Sequence, residues 1–166
     1  MRFVPKVSVV SVFVSLVSIP VFAADTFTTK NVGMELARDL ATEAVLACRK
    51  NGYQVGVVVV DRHANVRAVL RDDLAARFTL KIAEDKANAA VMSGVNSSVF
   101  LKNRKDIRME MNHVDGVLML EGGVLLEAGG TRIGAIGVSG APGGDKDEVC
   151  AIAAVKKLDE RLQFAD

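Results

Sequence analysis

Nine of the chain's 14 glycines fall between Glu121 and Cys150, in EGGVLLEAGGTRIGAIGVSGAPGGDKDEVC, and no other feature constrains the fold as much. Two apolar runs, Val124 to Leu126 and Ile133 to Val138, flank Ala128-Gly129-Gly130, the pattern of a β-hairpin with a tight turn. The loop Ser139-Gly140-Ala141-Pro142-Gly143-Gly144 leads into a helical segment, Asp145 to Leu162. Asp145, Asp147 and Glu148 fall in its first turn, where the helix dipole favours acids. Glycines in such a stretch either bare backbone amides to an anion or make room for turns and close packing. The chemistry favours packing. Gly134-x-x-Gly137-x-x-Gly140 lacks the Gly-x-Gly start of a dinucleotide loop, and Lys146 precedes Asp147 where a P-loop needs Ser or Thr. Gly137-Val138-Ser139-Gly140-Ala141 ends in Ala, and both histidines precede the serine, so it does not read as a nucleophile elbow.

The first 24 residues read as a secretory signal peptide. Arg2 and Lys6 precede an apolar run, Val7 to Val17, and Val21 and Ala23 occupy the small-residue positions of a cleavage site. The run is too short for a spanning helix. The expected organisation is a signal peptide over 1–24, a polar linker over 25–31 and a single domain over 32–166. Export would place the mature protein in the periplasm or outside the cell, with no membrane insertion. Loss of Arg2 and Lys6 takes Lys+Arg from 21 to 19 against 20 acids, a net charge of −1. That balance offers nothing to nucleic acid or to an anionic membrane. Cys48 and Cys150 are the only cysteines; in an exported chain they permit one disulfide, and two buried thiols fit the pattern equally.

Ala37, Leu40, Ala41, Ala44 and Cys48 recur at helical spacing within Val32 to Lys50, and Asn51-Gly52 supplies the stop. Tyr53 to Val60 is β-branched and apolar, a strand buried on both faces; Val66 to Arg71 returns after the turn Asp61 to Asn65. A second helix covers Leu74 to Val91, with a stripe of mostly small residues, Ala76, Leu80, Ala83, Ala87 and Ala90, that permits close approach to a sheet. Asn96-Ser97-Ser98 caps a short turn, Val99 to Lys102. Asn103 to Asp115 is highly charged without periodicity, and Gly116 to Leu120 reads as a further strand before the glycine-rich hairpin. Strands joined by tight turns are antiparallel, so the expected class is α+β: a sheet of about five antiparallel strands flanked by helices.

Few residues carry distinctive chemistry. His113 lies in Met109-Glu110-Met111-Asn112-His113, where imidazole and thioether, both ligands that suit haem iron, occur together. His63 sits at a hairpin tip, where a structural role is the default. Neither histidine belongs to a cluster with the spacing of a zinc or non-haem iron site, and no Cys-x-x-Cys-His offers covalent haem attachment. Arg62 either pairs with Asp61 to fix the hairpin or reaches a ligand carboxylate.

The chain resembles the haem-binding family that groups GlcG, HbpS and the PduO C-terminal domain. The resemblance rests on Val57-Val58-Val59-Val60-Asp61-Arg62, Ala83-Glu84-Asp85-Lys86-Ala87, Gly122-Gly123-Val124, the run Gly134 to Ala141, and Asp147-Glu148-Val149-Cys150-Ala151. It spans Val32 to Leu158. It implies a profilin-like fold, homo-oligomeric assembly and, for several members, non-covalent haem binding, some of them exported and linked to haem sensing or iron handling. The turn Arg62-His63-Ala64-Asn65 departs from the family's usual Gly-Gly. The expectation is therefore an exported protein that binds haem b non-covalently for sensing, storage or trafficking, with a sensor or transport protein as partner. His113 is the expected axial ligand to haem iron, Met111 or Met109 its neighbour or the second ligand, and Arg62, Arg77 or Lys86 the partners of the propionates. The competing expectation is an enzyme or binding protein for a small carboxylate, with Arg62 and the loop Ser139 to Gly144 capturing the anion. Without a strong acid–base pair, binding ranks above catalysis.

Overall fold

The computed structural model describes residues 25–164. The expected signal peptide, 1–24, lies outside them. Helix α1 (Met34–Lys50) buries Ala37, Leu40, Ala41, Ala44 and Cys48, the stripe expected from its spacing, and stops at Asn51-Gly52 with Gly52 in the left-handed conformation. Strands β1 (Gly56–Asp61) and β2 (Val66–Arg71) form the first hairpin. Helix α2 (Phe78–Ser93) follows, then α3 (Ser97–Asn103), a 3-10 turn (Lys105–Ile107) and the single turn α4 (Arg108–Met111). The glycine-rich stretch gives β3 (Gly123–Ala128) and β4 (Thr131–Ser139), then α5 (Gly144–Lys157) and, after a break at Leu158, α6 (Asp159–Gln163).

The sheet is antiparallel throughout, in the order β2-β1-β4-β3. Helices α1 and α5 cover one face, where Leu40, Val57, Val59, Leu126, Ile136 and Val138 form the main core. There Cys48 and Cys150 are joined in a disulfide with their Cα atoms 5.3 Å apart, which decides between the two states that the sequence left open. Helix α2 covers the other face, laying Ala83, Ala87 and Ala90 on Val58, Val60 and Ala135. A Cβ on Gly137 would lie 1.8 Å from the Ala83 carbonyl oxygen, and one on Gly123 would lie 2.1 Å from that of Lys86. The backbone of α2 therefore rests directly on β3 and β4. These glycines are packing devices.

Among the described residues four strands form where about five were expected. Gly116 to Leu120 is apolar because it packs against α2 and α3, with Met119 buried beside Ala89 and Phe100, and not because it pairs in the sheet. Its Leu118 amide donates to the Asp85 carbonyl and its Gly116 carbonyl accepts from Asn88. The outer edge of β3 is closed by side chains instead. Glu148 accepts from the Gly122 amide (3.2 Å), Ser97 Oγ from Gly123 (2.9 Å) and Asn96 Oδ1 from Leu125 (3.0 Å). Three side-chain acceptors thus do for this edge what a fifth strand would do. Asn96 takes its place at the start of α3 without capping it, because its side-chain oxygen is committed to β3.

Candidate functional site

The start of α5 meets α2 in a buried polar junction. Lys86 Nζ donates to Asp147 Oδ2 (2.7 Å) and to the Val138 carbonyl (3.1 Å), and Asp147 Oδ1 accepts from the Ala141 amide (2.9 Å). Both side chains are buried, 3% and 4% exposed. Burial pushes the Asp147 carboxyl above its usual range, against the Lys86 ammonium and the Ala141 amide, which favour the ionised form. Next to it, Glu148 accepts from Ser98 Oγ and from the Gly122 amide. Two of the three acids expected simply to complement the α5 dipole, Asp147 and Glu148, are therefore structural ties, and the Lys86 ammonium is not presented to a propionate.

Outside this junction a groove of about 660 Å³ opens along α3 and the 3-10 turn. Val99 and Leu101 give it apolar walls, and Lys102, Lys105 and Arg108 bring three cations to its margin, with Ser98 and Glu121 at the junction end. An apolar slot rimmed by cations suits a flat hydrophobic molecule bearing carboxylates. The residues present thus fit the macrocycle and propionates of haem. Behind α3 lies a second cavity of about 480 Å³, lined by Met92, Val95, Phe100, Ile107 and Met111 together with Arg104.

The expected site residues are distributed around this segment and away from it. Met109, 72% exposed, lies on α4 two residues before Met111, which is half-buried on the second cavity. His113 is exposed in the turn after α4, its amide donating to the Glu110 carbonyl. Arg77 stacks on the Phe78 ring, 4.6 Å from its centroid, at the start of α2. That end of α2 lies by Gly56, whereas Arg62 follows Asp61 at the far end of β1, so the two arginines do not converge. Asp61 holds its own turn without pairing with Arg62: its carboxylate accepts from the His63 and Asn65 amides and from Asn65 Nδ2. Burial raises that carboxyl, and the hydrogen bonds from Asn65 and His63 outweigh it and leave it below the ordinary value.

Arg62 and the loop Ser139 to Gly144 are likewise apart, because Asp61 pairs with Gly134 at one end of β4 and Gly56 with Ser139 at the other. Six residues of strand separate them, roughly 17 Å. Lys102, Lys105 and Arg108 were the residues that sequence reasoning missed. The signal was present, since they are spaced three apart, but a run of charge without apolar periodicity reads as a solvated face. Among the described residues no group of three or more His, Cys, Asp or Glu side chains converges to hold a metal ion, and no helix is long and apolar enough to cross a membrane.

The groove lies on an α+β fold whose antiparallel sheet is covered by helices on both faces. Residues 32–156 match the family described as "Haem degrading protein HbpS-like", and the chain belongs to the HbpS-like family. The crystal structure of HbpS superposes with a TM-score of 0.76 at 34% identity, over 84% of this chain and 99% of that one. A double mutant of Streptomyces reticuli HbpS gives 0.76 at 32% identity, over 87% and 98%. A complex of PduOC with haem shares the fold at a TM-score of 0.66 and 22% identity, over 76% of this chain and 94% of that one. No curated protein matches the sequence.

Proposed function

We propose that this protein binds haem b non-covalently in the groove along α3, as an exported protein of haem or iron sensing, storage or trafficking. The observation that carries this reading is the apolar slot of Val99 and Leu101 edged by Lys102, Lys105 and Arg108 in a chain of the HbpS-like family. The haem complex of PduOC, on the same fold, supports it. The three cations take over the propionate role first expected of Arg62, Arg77 and Lys86. His113, exposed in the turn after α4 and outside the lining of the groove, would be the imidazole that reaches the iron, with Met109 as its thioether neighbour. Bound haem would supply the iron chemistry; the chain supplies an apolar wall and counter-charges. Binding is also the step that haem degradation, the activity in the family's description, requires first.

Export is supported by the leader-like residues 1–24 and by the Cys48–Cys150 disulfide, which persists in an oxidising compartment. Assembly as a homo-oligomer is supported by the open edge of β2, beside which Val69, Leu74 and Phe78 stand exposed as a surface that a second copy would cover. Haem titration tests the binding reading. A shifted Soret band should saturate at one haem per chain. The triple variant Lys102→Gln/Lys105→Gln/Arg108→Gln should bind about tenfold or more weakly, since charge-assisted pairs are being removed. No Soret shift at stoichiometric haem sinks the proposal, and an unaltered band in His113→Ala sinks the ligand assignment.

A further inference from the structure

A third cavity, about 300 Å³, lies at the opposite end of the sheet from the Ser139 to Gly144 loop, between the turn after β1 and the β3–β4 hairpin. Arg62 enters it from the first hairpin and Arg132 from β4; Val91, Leu125, Gly130 and Gly134 complete it. Among the described residues neither guanidinium has a carboxylate partner or a side-chain hydrogen bond. Asp61 is committed to its own turn, and Glu127, opposite Arg132 in register, makes no ion pair with it. Arg132 is also held in place, its guanidinium against the α-carbon of Gly94, where a Cβ would lie 2.1 Å from Nη1. The negative end of the α2 dipole explains a cation at that spot. It does not explain a second one. Two unpartnered cations lining one small cleft repel each other unless an anion joins them.

We propose that the cleft between Arg62 and Arg132 binds a small aliphatic dicarboxylate. Each guanidinium presents a planar fork that matches one carboxylate, and two forks match two. Val91 and Leu125 supply the smaller, apolar part of a mainly polar cleft, which a short carbon chain covers and an inorganic oxyanion does not. The cavity is less than half the volume of the α3 groove, so the ligand is a metabolite-sized acid and not the macrocycle. The site does not rest on the haem reading: it shares no residue with the α3 groove.

Calorimetric titration of the purified, haem-free protein with succinate, and separately with inorganic phosphate, tests the assignment. Succinate should bind at one site per chain, and Arg62→Gln or Arg132→Gln should each weaken it about tenfold or more, with thermal melts reporting that the variants fold. Arg132→Lys, which keeps charge but loses the fork, should fall between wild type and Arg132→Gln. Absence of binding at millimolar succinate, or wild-type affinity in folded Arg62→Gln and Arg132→Gln, overturns the site. Phosphate binding as tightly as succinate overturns the carboxylate class. Loss of succinate binding on saturation with haem overturns the separateness of the two sites, whereas an unchanged affinity in haem-loaded protein supports it.

Discussion

Replacing both cysteines by alanine tests how far the fold depends on one covalent tie. The disulfide joins α1 to α5 across 102 residues of sequence, so it encloses most of the domain. The chain-entropy expression for a loop of that length gives about 4.7 kcal/mol at 25 °C, against typical realised values of about 2–4 kcal/mol. Both cysteines are essentially fully buried in the main core, so losing their sulfurs removes contacts that the constraint argument does not include. The expected loss for Cys48→Ala/Cys150→Ala is therefore about 3–5 kcal/mol. A domain of this size has roughly 5–15 kcal/mol to lose, so the variant should fold at 25 °C but with a much lower denaturation midpoint.

Urea unfolding followed by circular dichroism measures this directly. The oxidised unfolded chain is tied into a compact loop, so the variant should also show a steeper dependence on urea, because its unfolded state exposes more surface. Wild-type protein unfolded with a reductant should approach the variant's curve, and the variant should ignore the reductant. A loss below about 1 kcal/mol with an unchanged slope would refute the constraint argument, because loop length is the quantity that sets its size.

The buried pair at the α2–α5 junction should be costly to break and cheap to remove whole. Lys86→Met leaves the buried Asp147 carboxyl without its cation and should cost about 3–5 kcal/mol in urea unfolding, while Lys86→Met/Asp147→Leu should recover most of that loss. Acid should unfold the protein through different groups. Arg49 holds the buried Asp72 carboxyl below its ordinary value of 3.8, and the turn amides hold Asp61 below it too. Their unfolded forms bind protons first, so their stabilisation is complete above that value and is lost as the pH falls through the lowered folded pKa values. Asp147 has the opposite sign: its carboxyl is raised in the folded state, so its contribution is present below 3.8 and declines as the pH rises through the folded value. Asp61→Asn and Asp72→Asn should therefore flatten the acid limb of a plot of melting temperature against pH, and a limb unchanged in both would contradict the assignment.

Much of the fold was legible because burial leaves a period in the sequence. The stripe of α1 and the two-faced burial of β1 follow from spacing alone, and the small residues of α2 announce close contact with a sheet. The fifth strand failed for a physical reason. Val117, Leu118 and Met119 form an apolar run that a strand and a packed loop share equally, and periodicity cannot separate them over so few residues. What closed the β3 edge was Asn96, Ser97 and Glu148, polar residues that read locally as helix caps and first-turn acids. Their partners are 26 to 29 residues away, and local propensity carries no information about such partners.

The candidate sites show the same division more sharply. Arg62 was visible as a ligand candidate, yet the partner assigned to it, the loop Ser139 to Gly144, runs off the wrong end of β4. In an antiparallel sheet the register decides which ends meet: once Asp61 lies opposite Gly134, the cation beside Arg62 must come from the start of β4, and Arg132 is the residue there. Lys86 failed in the converse way. Its spacing on α2 puts it on the sheet side with Ala83, Ala87 and Ala90, and a cation on that face needs a buried acid, which Asp147 provides. The glycines at 123 and 137 bring α2 close enough for that pair to form, so the glycine-rich stretch acts on function through packing. With Lys86 committed inward, the two proposed sites draw on outward cations, Lys102, Lys105 and Arg108 on the α3 side and Arg62 with Arg132 at the far end.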